Sequence, residues 1–381
     1  VKRGHRVTIF ASSFHYYQHQ ETKLSAHEKW KIETVEGVSF VWIRTFRYER
    51  NDWRRVLNML SYSIRAWRLG RMLPKLDRDV RGPSVIIGSS VHLLAVLAAY
   101  GVAKHYGAKF IMEVRDLWPQ TIIDMGELSE RHPLTTLLRA LEKFLYRRAD
   151  RIITVLPFAH EYLAACGVPQ DKIVWIPNGV DLTRFPVAPA SESSRNSFEV
   201  LYLGAHGQAN ALDVLLEAAQ ILQAKHAEQN IVFQLIGDGS EKPRLIQRAK
   251  ELALRNVKFH EPIPKADTAR ALSQVDALLF HLERAQVFRY GISPNKLFDY
   301  MAAAKPILFC ADAPQNPVEQ AQCGLTVQPR NSQALAQAIL TLCQMPQAER
   351  QAMGKRGREF VEKYHAIPLL AEKWIRCIEA S

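Results

Sequence analysis

The sequence predicts an α/β protein built as two doubly wound parallel-sheet domains. Three observations carry that expectation. Short apolar runs alternate with helix-period segments along nearly the whole chain, the pattern of parallel strands joined by crossover helices. The alternation halts at a stretch rich in Pro and Ser, Pro186 to Ser197, and then restarts. With 381 residues, of which 48% are hydrophobic, the chain is long and apolar enough to form two soluble cores.

Residues 1–185 make the first domain, with strand-like runs at Val7 to Phe10, Val38 to Ile43, Ser84 to Gly88, Lys109 to Val114, Arg151 to Val155 and Lys172 to Ile176. Leu93 to Ala103 is apolar throughout but too short to span a bilayer, so it reads as a core helix. Residues 186–365 make the second domain. Its strands are Phe198 to Leu203, Ile231 to Ile236, Val257 to His260, Val275 to Phe280, Pro306 to Cys310 and Leu325 to Val327, and its clearest helices are Asn210 to Ala227 and Ser332 to Cys343. Residues 366–381 form a last helix.

Composition excludes several classes. No N-terminal run has the form of a signal peptide. Five scattered cysteines (Cys166, Cys310, Cys323, Cys343, Cys377) without CxxC spacing argue against disulfides or zinc and fit a reducing cytosol. His15 and His19 share an i,i+4 spacing, but Lys23 follows in that series, so no metal site is expected.

The net charge of +12 is unevenly placed. Residues 1–185 carry 28 Lys and Arg against 18 Asp and Glu, and the remainder carries 22 against 20. In the basic half, Arg44, Arg47, Arg50, Arg54, Arg55, Arg65, Arg68, Arg71, Lys75, Arg78 and Arg81 interleave with Trp42, Trp53, Leu57, Leu60, Trp67 and Leu69. Tryptophan and arginine on one amphipathic helix suit an anionic membrane surface, and a solvated helix face is the equal alternative. Nucleic acid is not an expected partner, because no helix-turn-helix, RNP or zinc-finger signature accompanies the charges.

The most informative stretch is Gly291 to Pro306. It places Lys296 and Asp299 at the start of a helix framed by apolar strands. A helix N-terminus with unpaired N–H groups and a lysine suits a diphosphate, and a carboxylate one turn on can accept from two ribose hydroxyls. The alternative is an ordinary capped helix whose Lys and Asp form an i,i+3 surface pair. Two glycine-bearing turns, Leu203-Gly-Ala-His-Gly207 and Ile236-Gly-Asp-Gly239, sit at strand ends where backbone amides can approach phosphate. His206 is either a donor to a diphosphate oxygen or a structural turn residue.

These residues resemble a family. Ile176-Pro-Asn-Gly-Val-Asp181, Phe185, Leu203-Gly204, Gly237-Asp-Gly239 and Ser293-Pro-Asn-Lys-Leu-Phe-Asp-Tyr-Met-Ala-Ala are similar to retaining glycosyltransferases of family 4, over almost the whole chain. Glu113-Val-Arg-Asp-Leu-Trp-Pro119 with Ser-Pro-Asn-Lys resembles the WbuB-like branch of bacterial surface-polysaccharide enzymes, which implies fucosamine transfer. The resemblance implies a GT-B fold, two Rossmann-like domains facing a cleft, with Ala366 to Ala380 as a helix crossing back to the first domain.

Carried over, it makes Lys296 the diphosphate ligand and Asp299 the ribose ligand. Gly204, His206, Gly207, Gly237, Gly239, Ser293 and Asn295 lie around the nucleotide sugar, with Ile263 near the base. Glu113, Arg115, Asp116 and Trp118 stand on the acceptor side, where Arg115 and Asp116 orient the acceptor or form a buried structural pair. Asn178 and Gly179 shape the hinge side. The implied reaction moves an N-acetylated hexosamine from a UDP-linked donor to a lipid-linked saccharide with retention, needs no metal or other cofactor, and takes place at the cytoplasmic membrane face.

Departures from the family pattern set further expectations. Its pair of glutamates is here Gly291 and Asp299, Ala304 stands where glycine is common, and its Arg and Lys after the first strand of the second domain are Ala205 and Asn210. Gly4-His-Arg-Val-Thr8 is the family's first-helix ending, so its first strand and Gly-rich loop are expected to be missing from this sequence. Two other functions share the features: a nucleotide-sugar 2-epimerase of the same fold, and a catalytically weakened assembly partner.

Overall fold

The computed structural model describes residues 1–15, 19–49, 52–76, 82–90, 92–186 and 196–380. It separates into two compact units, Val1–Thr154 with His160–Trp175 and Cys377–Ser381, and Val155–Ala159 with Ile176–Arg376.

In the first unit, β1 (Thr8–Ser12), the short β2 (Phe14–His15) and β3 (Gln20–Glu21), β4 (Trp30–Val35) and β5 (Val38–Ile43) precede α1 (Trp53–Gly70), α2 (Leu73–Leu76), β6 (Val85–Ser89) and α3 (Leu93–Tyr106). There follow β7 (Lys109–Val114), α4 (Gln120–Asp124), α5 (Pro133–Arg148), β8 (Arg151–Thr154), α6 (Ala159–Ala165) and β9 (Ile173–Trp175). The strands β6-β7-β8-β9 form one parallel sheet. A separate sheet has the order β1-β5-β4, in which β1 and β5 are parallel but β4 and β5 are antiparallel.

The expectation of one all-parallel sheet here is corrected by a hairpin. Glu36 and Gly37 both take positive φ, 51° and 81°, the two-residue turn whose twist matches antiparallel strands. Trp30–Val35 exposes alternate residues, as an edge strand with one face in water does. The anticipated core helix is α3. His92 Nδ1 accepts from the Ala95 N–H at 3.1 Å to start it, and Gly107, in the left-handed region at φ 63°, ends it.

The second unit runs β10 (Phe198–Leu203), α7 (Asp213–Lys225), β11 (Ile231–Ile236), α8 (Lys242–Glu251), β12 (Val257–His260), α9 (Thr268–Ser273), β13 (Ala277–His281) and α10 (Asn295–Ala302). It continues with β14 (Ile307–Cys310), α11 (Pro317–Gln320), β15 (Gly324–Val327), α12 (Ser332–Gln344), α13 (Gln347–Tyr364) and α14 (Ile367–Glu379). The division between units passes through α14. All six strands are parallel in the order β12-β11-β10-β13-β14-β15. Every residue of β13 and β14 is buried, as befits central strands covered on both faces.

Leu215, Leu216, Leu335 and Ile339 of α7 and α12 cover one face, and Leu297, Phe298, Met301 and Val361 of α10 and α13 cover the other. The strand order reverses between β10 and β13, and a parallel sheet opens for ligands at the carboxyl ends of strands beside such a reversal.

Candidate functional site

The two glycine turns lie at the carboxyl ends of β10 and β11 and lock together through their backbones. The Gly204 N–H donates to Ile236 O at 3.0 Å, the His206 N–H to Asp238 O at 2.8 Å and the Glu241 N–H to His206 O at 2.9 Å. A Cβ on Gly237 would overlap the Gly204 carbonyl, and one on Gly239 the His206 carbonyl. These glycines are needed for turn-on-turn packing. Gly204 differs: at φ 154° an added Cβ would stand in ordinary van der Waals contact with the Lys296 side chain, 3.5 Å from its Cδ and 3.6 Å from its Nζ. Gly207 begins the Gln208–Asn210 turn with open space beside it.

Lys296 stands in the first turn of α10, whose N-cap residue Pro294 makes no side-chain capping bond. Its ammonium donates to Tyr202 Oη at 3.1 Å and to Asn210 Oδ1 at 2.8 Å, and lies over the Tyr202 and Phe280 rings at 4.6 and 5.1 Å. Burial pushes its pKa down from 10.5 to about 7. Lys296 therefore does not form the i,i+3 surface pair with Asp299. Burial pushes the Asp299 carboxyl up, opposed by the nearby charges of Arg184 and Lys265. Arg184 also donates to the Lys265 carbonyl at 2.5 Å.

Ser293 and Asn295 flank the same helix start. The Ser293 hydroxyl accepts from the Asn178 N–H at 2.9 Å and its carbonyl from Asn178 Nδ2 at 2.5 Å, while Asn295 is exposed. Asn178 O meets His365 Nδ1 at 3.0 Å, and Gly179 packs against the His365 carbonyl and Leu370. Ile263 is half-buried in the loop after β12.

His206 is fully buried, with Tyr202 and Phe259 rings at 5.9 and 6.3 Å, and neither ring nitrogen has a hydrogen-bond partner. Burial first, then the Lys242 charge, lowers its pKa to about 4, so the ring is neutral. The expected bond from this ring to a diphosphate oxygen is thus not offered in this conformation, and His206 lines the turn with its main chain. Sequence reasoning missed Tyr202, Arg184, Lys265 and His281. A polar residue closing an apolar strand is the one signal His281 gives, and that signal is common.

In the first unit, Arg115 pairs with Glu113 at 3.6 Å, whereas a buried Arg115–Asp116 pair was one of the two expected alternatives. Ser90 organises this segment, its Oγ accepting the Arg115 N–H at 3.1 Å and donating to Asp116 O at 3.4 Å. Desolvation by the surrounding protein raises the pKa of the Asp116 carboxyl against the pull of Arg115. Trp118 is half-buried.

The basic helix is α1. Trp53, Val56, Leu60, Ile64 and Trp67 are all exposed, Trp53 by 64%. At about 100° per residue these five fall within about 80° of arc, a continuous apolar stripe facing water. Arg54, Arg68 and Arg71 are exposed beside it, Arg54 near the Trp53 ring and Arg71 over the Trp67 ring at 4.7 Å. Arg65 instead donates to the Arg44 carbonyl. Arg50, Arg78 and Arg81 lie outside the described residues, as does the side chain of Lys75. Among the described residues no helix is long and apolar enough to cross a membrane, and no group of three or more His, Cys, Asp or Glu could hold a metal ion.

Two α/β units, with a lysine and glycine turns at the carboxyl ends of the second sheet, have the architecture of a GT-B protein. A family model for a glycosyl transferase 4-like domain matches residues 1–179, and one for glycosyl transferases group 1 matches residues 197–345. The chain belongs to the family 4 glycosyltransferases of the GT-B fold. It is 24% identical, over 82% of its length and 76% of the relative's, to a protein of Escherichia coli K12 named as a colanic acid biosynthesis glycosyl transferase, WcaI. It is also 24% identical to a Pseudomonas aeruginosa protein named as glycosyltransferase WbjE, over 87% and 83% of the two chains. Among solved structures, sucrose-phosphate synthase from Thermosynechococcus elongatus superposes with a TM-score of 0.72 at 18% identity, covering 100% of this chain and 91% of that one. Anabaena HepE in complex with UDP superposes with a TM-score of 0.65 at 15% identity, covering 86% and 84%.

Proposed function

We propose that this glycosyltransferase moves an N-acetylated hexosamine, of the fucosamine type, from a UDP-linked donor to a lipid-linked saccharide in surface polysaccharide synthesis, with retention and without a metal. The observation that carries the reading is Lys296, an amine at a helix N-terminus packed beside Gly204 at the carboxyl end of β10. A diphosphate placed there meets a cation and unpaired backbone amides together. The polysaccharide setting follows the names of WcaI and WbjE, and the UDP donor follows the HepE complex.

In the reaction the bond from the anomeric carbon to the β-phosphate oxygen breaks and a bond to the acceptor oxygen forms on the same face. The acceptor hydroxyl proton passes to the departing diphosphate. Lys296 and the amides at the start of α10 stabilise the charge that develops on that leaving group, a preorganised electrostatic role that needs no pair of catalytic carboxylates. Asp299 accepts from the ribose hydroxyls, with the charges of Arg184 and Lys265 opposing the rise that burial imposes on its carboxyl. Glu113, Arg115, Asp116 and Trp118 serve the acceptor, and α1 rests on the anionic inner face of the membrane.

The test incubates the protein with UDP-N-acetylhexosamines and a polyprenyl-diphosphate saccharide and follows the product by mass spectrometry and anomeric NMR. Transfer with inverted configuration counts against the mechanism. An epimer formed from the donor without acceptor identifies a 2-epimerase instead, and nucleotide binding without turnover identifies a weakened partner.

A further inference from the structure

The helix α3 packs against both α1 and α5 in the first unit. On the α1 side, Gly101 lets the Trp67 ring lie against α3, since an added Cβ would stand 2.8 Å from the indole Nε1. On the other side, the Tyr100 ring meets Phe144 of α5 edge-on, with centroids 5.5 Å apart. The exposed stripe of α1 therefore continues over α3 onto α5.

α5 carries exposed apolar residues of its own. At about 100° per residue Leu134, Leu137 and Phe144 fall within about 80° of arc, and Leu137 is 64% exposed. Leu97 of α3, one turn before Gly101, is exposed as well. Large apolar side chains left in water over adjoining helices add nothing to the core, and a contiguous patch of them marks an interaction surface.

Charge decides which partner fits. The sequences of α1, α3 and α5 contain a single carboxylate, Glu142, and it is turned inward. Fully buried, it accepts from Tyr146 Oη at 3.0 Å and from Tyr162 Oη at 2.9 Å. The cations go the other way. Arg54, Arg68, Lys104, Lys143, Arg147 and Arg148 are all exposed, and the Arg148 guanidinium lies 5.5 Å from the centroid of the Phe144 ring. Asp52, which caps the start of α1, is an acid at the rim. Leucines and aromatic rings among cations, on helices that expose no carboxylate, match an anionic bilayer, where the apolar groups enter the acyl boundary and the cations meet phosphate. A second copy of the same face would instead bring like charges together.

We propose that α5 is a second bilayer anchor, with Leu134, Leu137 and Phe144 entering the lipid surface and Arg147 and Arg148 meeting its phosphates, so that α1, α3 and α5 dock as one face. The proposal rests on the reading that α1 lies on the membrane, and it extends that contact from one helix to three.

The experiment measures co-sedimentation of the full chain with vesicles of phosphatidylglycerol and phosphatidylethanolamine. It compares wild type with two paired variants, Leu134→Ser with Leu137→Ser, and Arg147→Gln with Arg148→Gln. The serine pair is expected to weaken binding about tenfold at low and high salt alike, and the glutamine pair about tenfold at low salt only. Binding unchanged in both pairs, while substitutions on α1 release the protein, overturns the α5 anchor and leaves the α1 contact standing. If the serine pair does not fold, Leu137→Glu, which sets one carboxylate into the face, must show at least the same loss or the proposal fails. A wild type that ignores these vesicles overturns the α1 reading and this proposal together. A wild type that is dimeric in solution and becomes monomeric in the serine pair assigns the face to a second copy, which also overturns it.

Discussion

The Lys296 ammonium donates to Asn210 Oδ1 at 2.8 Å, and among the described residues no carboxylate accepts from it. Asn210 occupies a position where the family resemblance leads one to expect a cation. Two cations at this separation would repel in a site of low dielectric, so asparagine turns a rival into an acceptor. The amine is still left without a counter-charge, and a diphosphate is what supplies one.

Replacing Lys296 with Ala is expected to lower turnover more than about tenfold, since losing a charge-assisted contact to a leaving group costs on the order of 2 kcal/mol or more. Steady-state rates on a folded variant check this, and near-normal turnover would remove Lys296 from the mechanism.

The same amine predicts a pH dependence. Its folded pKa of about 7 lies below the ordinary 10.5, so between these values the unfolded chain binds more protons than the folded one. Stability from this group therefore rises as pH goes from about 7 towards 10.5, and is lowest below 7, where the buried amine must be charged. Lys296→Met should stabilise the protein most at pH 6 and progressively less at higher pH, read from urea midpoints. UDP binding at pH 8 should take up protons, measured by calorimetry in buffers of different ionisation enthalpy. An uptake that persists in Lys296→Met would assign it to another group.

For the ribose carboxylate, Asp299→Glu should keep or improve nucleotide affinity because its longer reach matches the family's usual residue, while Asp299→Asn should weaken it by removing a charged acceptor. A calorimetric ranking with Asn tightest would exclude the ribose role.

How much of this was legible beforehand varied with the kind of signal. The central strands β13 and β14 show in the sequence because a strand buried on both faces is an unbroken apolar run, and Lys296 stood out as a cation between these two runs. Trp30–Val35 did not, because Lys31 and Glu33 break its apolar pattern and only the Glu36-Gly37 turn makes it an antiparallel edge. Nor did α13, whose Gly354 and many charges mask its helical pattern. Its glycine is there because a Cβ would strike the Ala304 carbonyl where α13 meets the end of α10. Conversely, the Gly237 and Gly239 turns were found for a phosphate-binding reason, and the structure gives them a packing one.

If the leaving group is stabilised by Lys296 and helix amides alone, excess EDTA should leave transfer activity intact. Complete loss with EDTA and recovery on adding Mg²⁺ or Mn²⁺ would show that a metal shares that task.

The exposed stripe of α1 sets the last prediction. Trp53, Val56, Leu60, Ile64 and Trp67 face water together, where burial of each large side chain in an interface is worth up to about 1.5–3 kcal/mol. Arg54, Arg68 and Arg71 lie beside the stripe, and each cation near an anionic surface adds about 1 kcal/mol. The apolar term is insensitive to salt, whereas the cationic term fades as the Debye length shortens. Two sets of substitutions should therefore separate the contributions. Arg54, Arg68 and Arg71 changed to Gln should abolish the salt-dependent part of co-sedimentation with vesicles containing phosphatidylglycerol. Trp53 and Ile64 changed to Ser should weaken binding at every salt concentration. Both sets should slow transfer to a lipid-linked acceptor more than transfer to a soluble analogue, because only the former acceptor is confined to the surface. Co-sedimentation unchanged by both sets would leave the stripe facing something other than a bilayer.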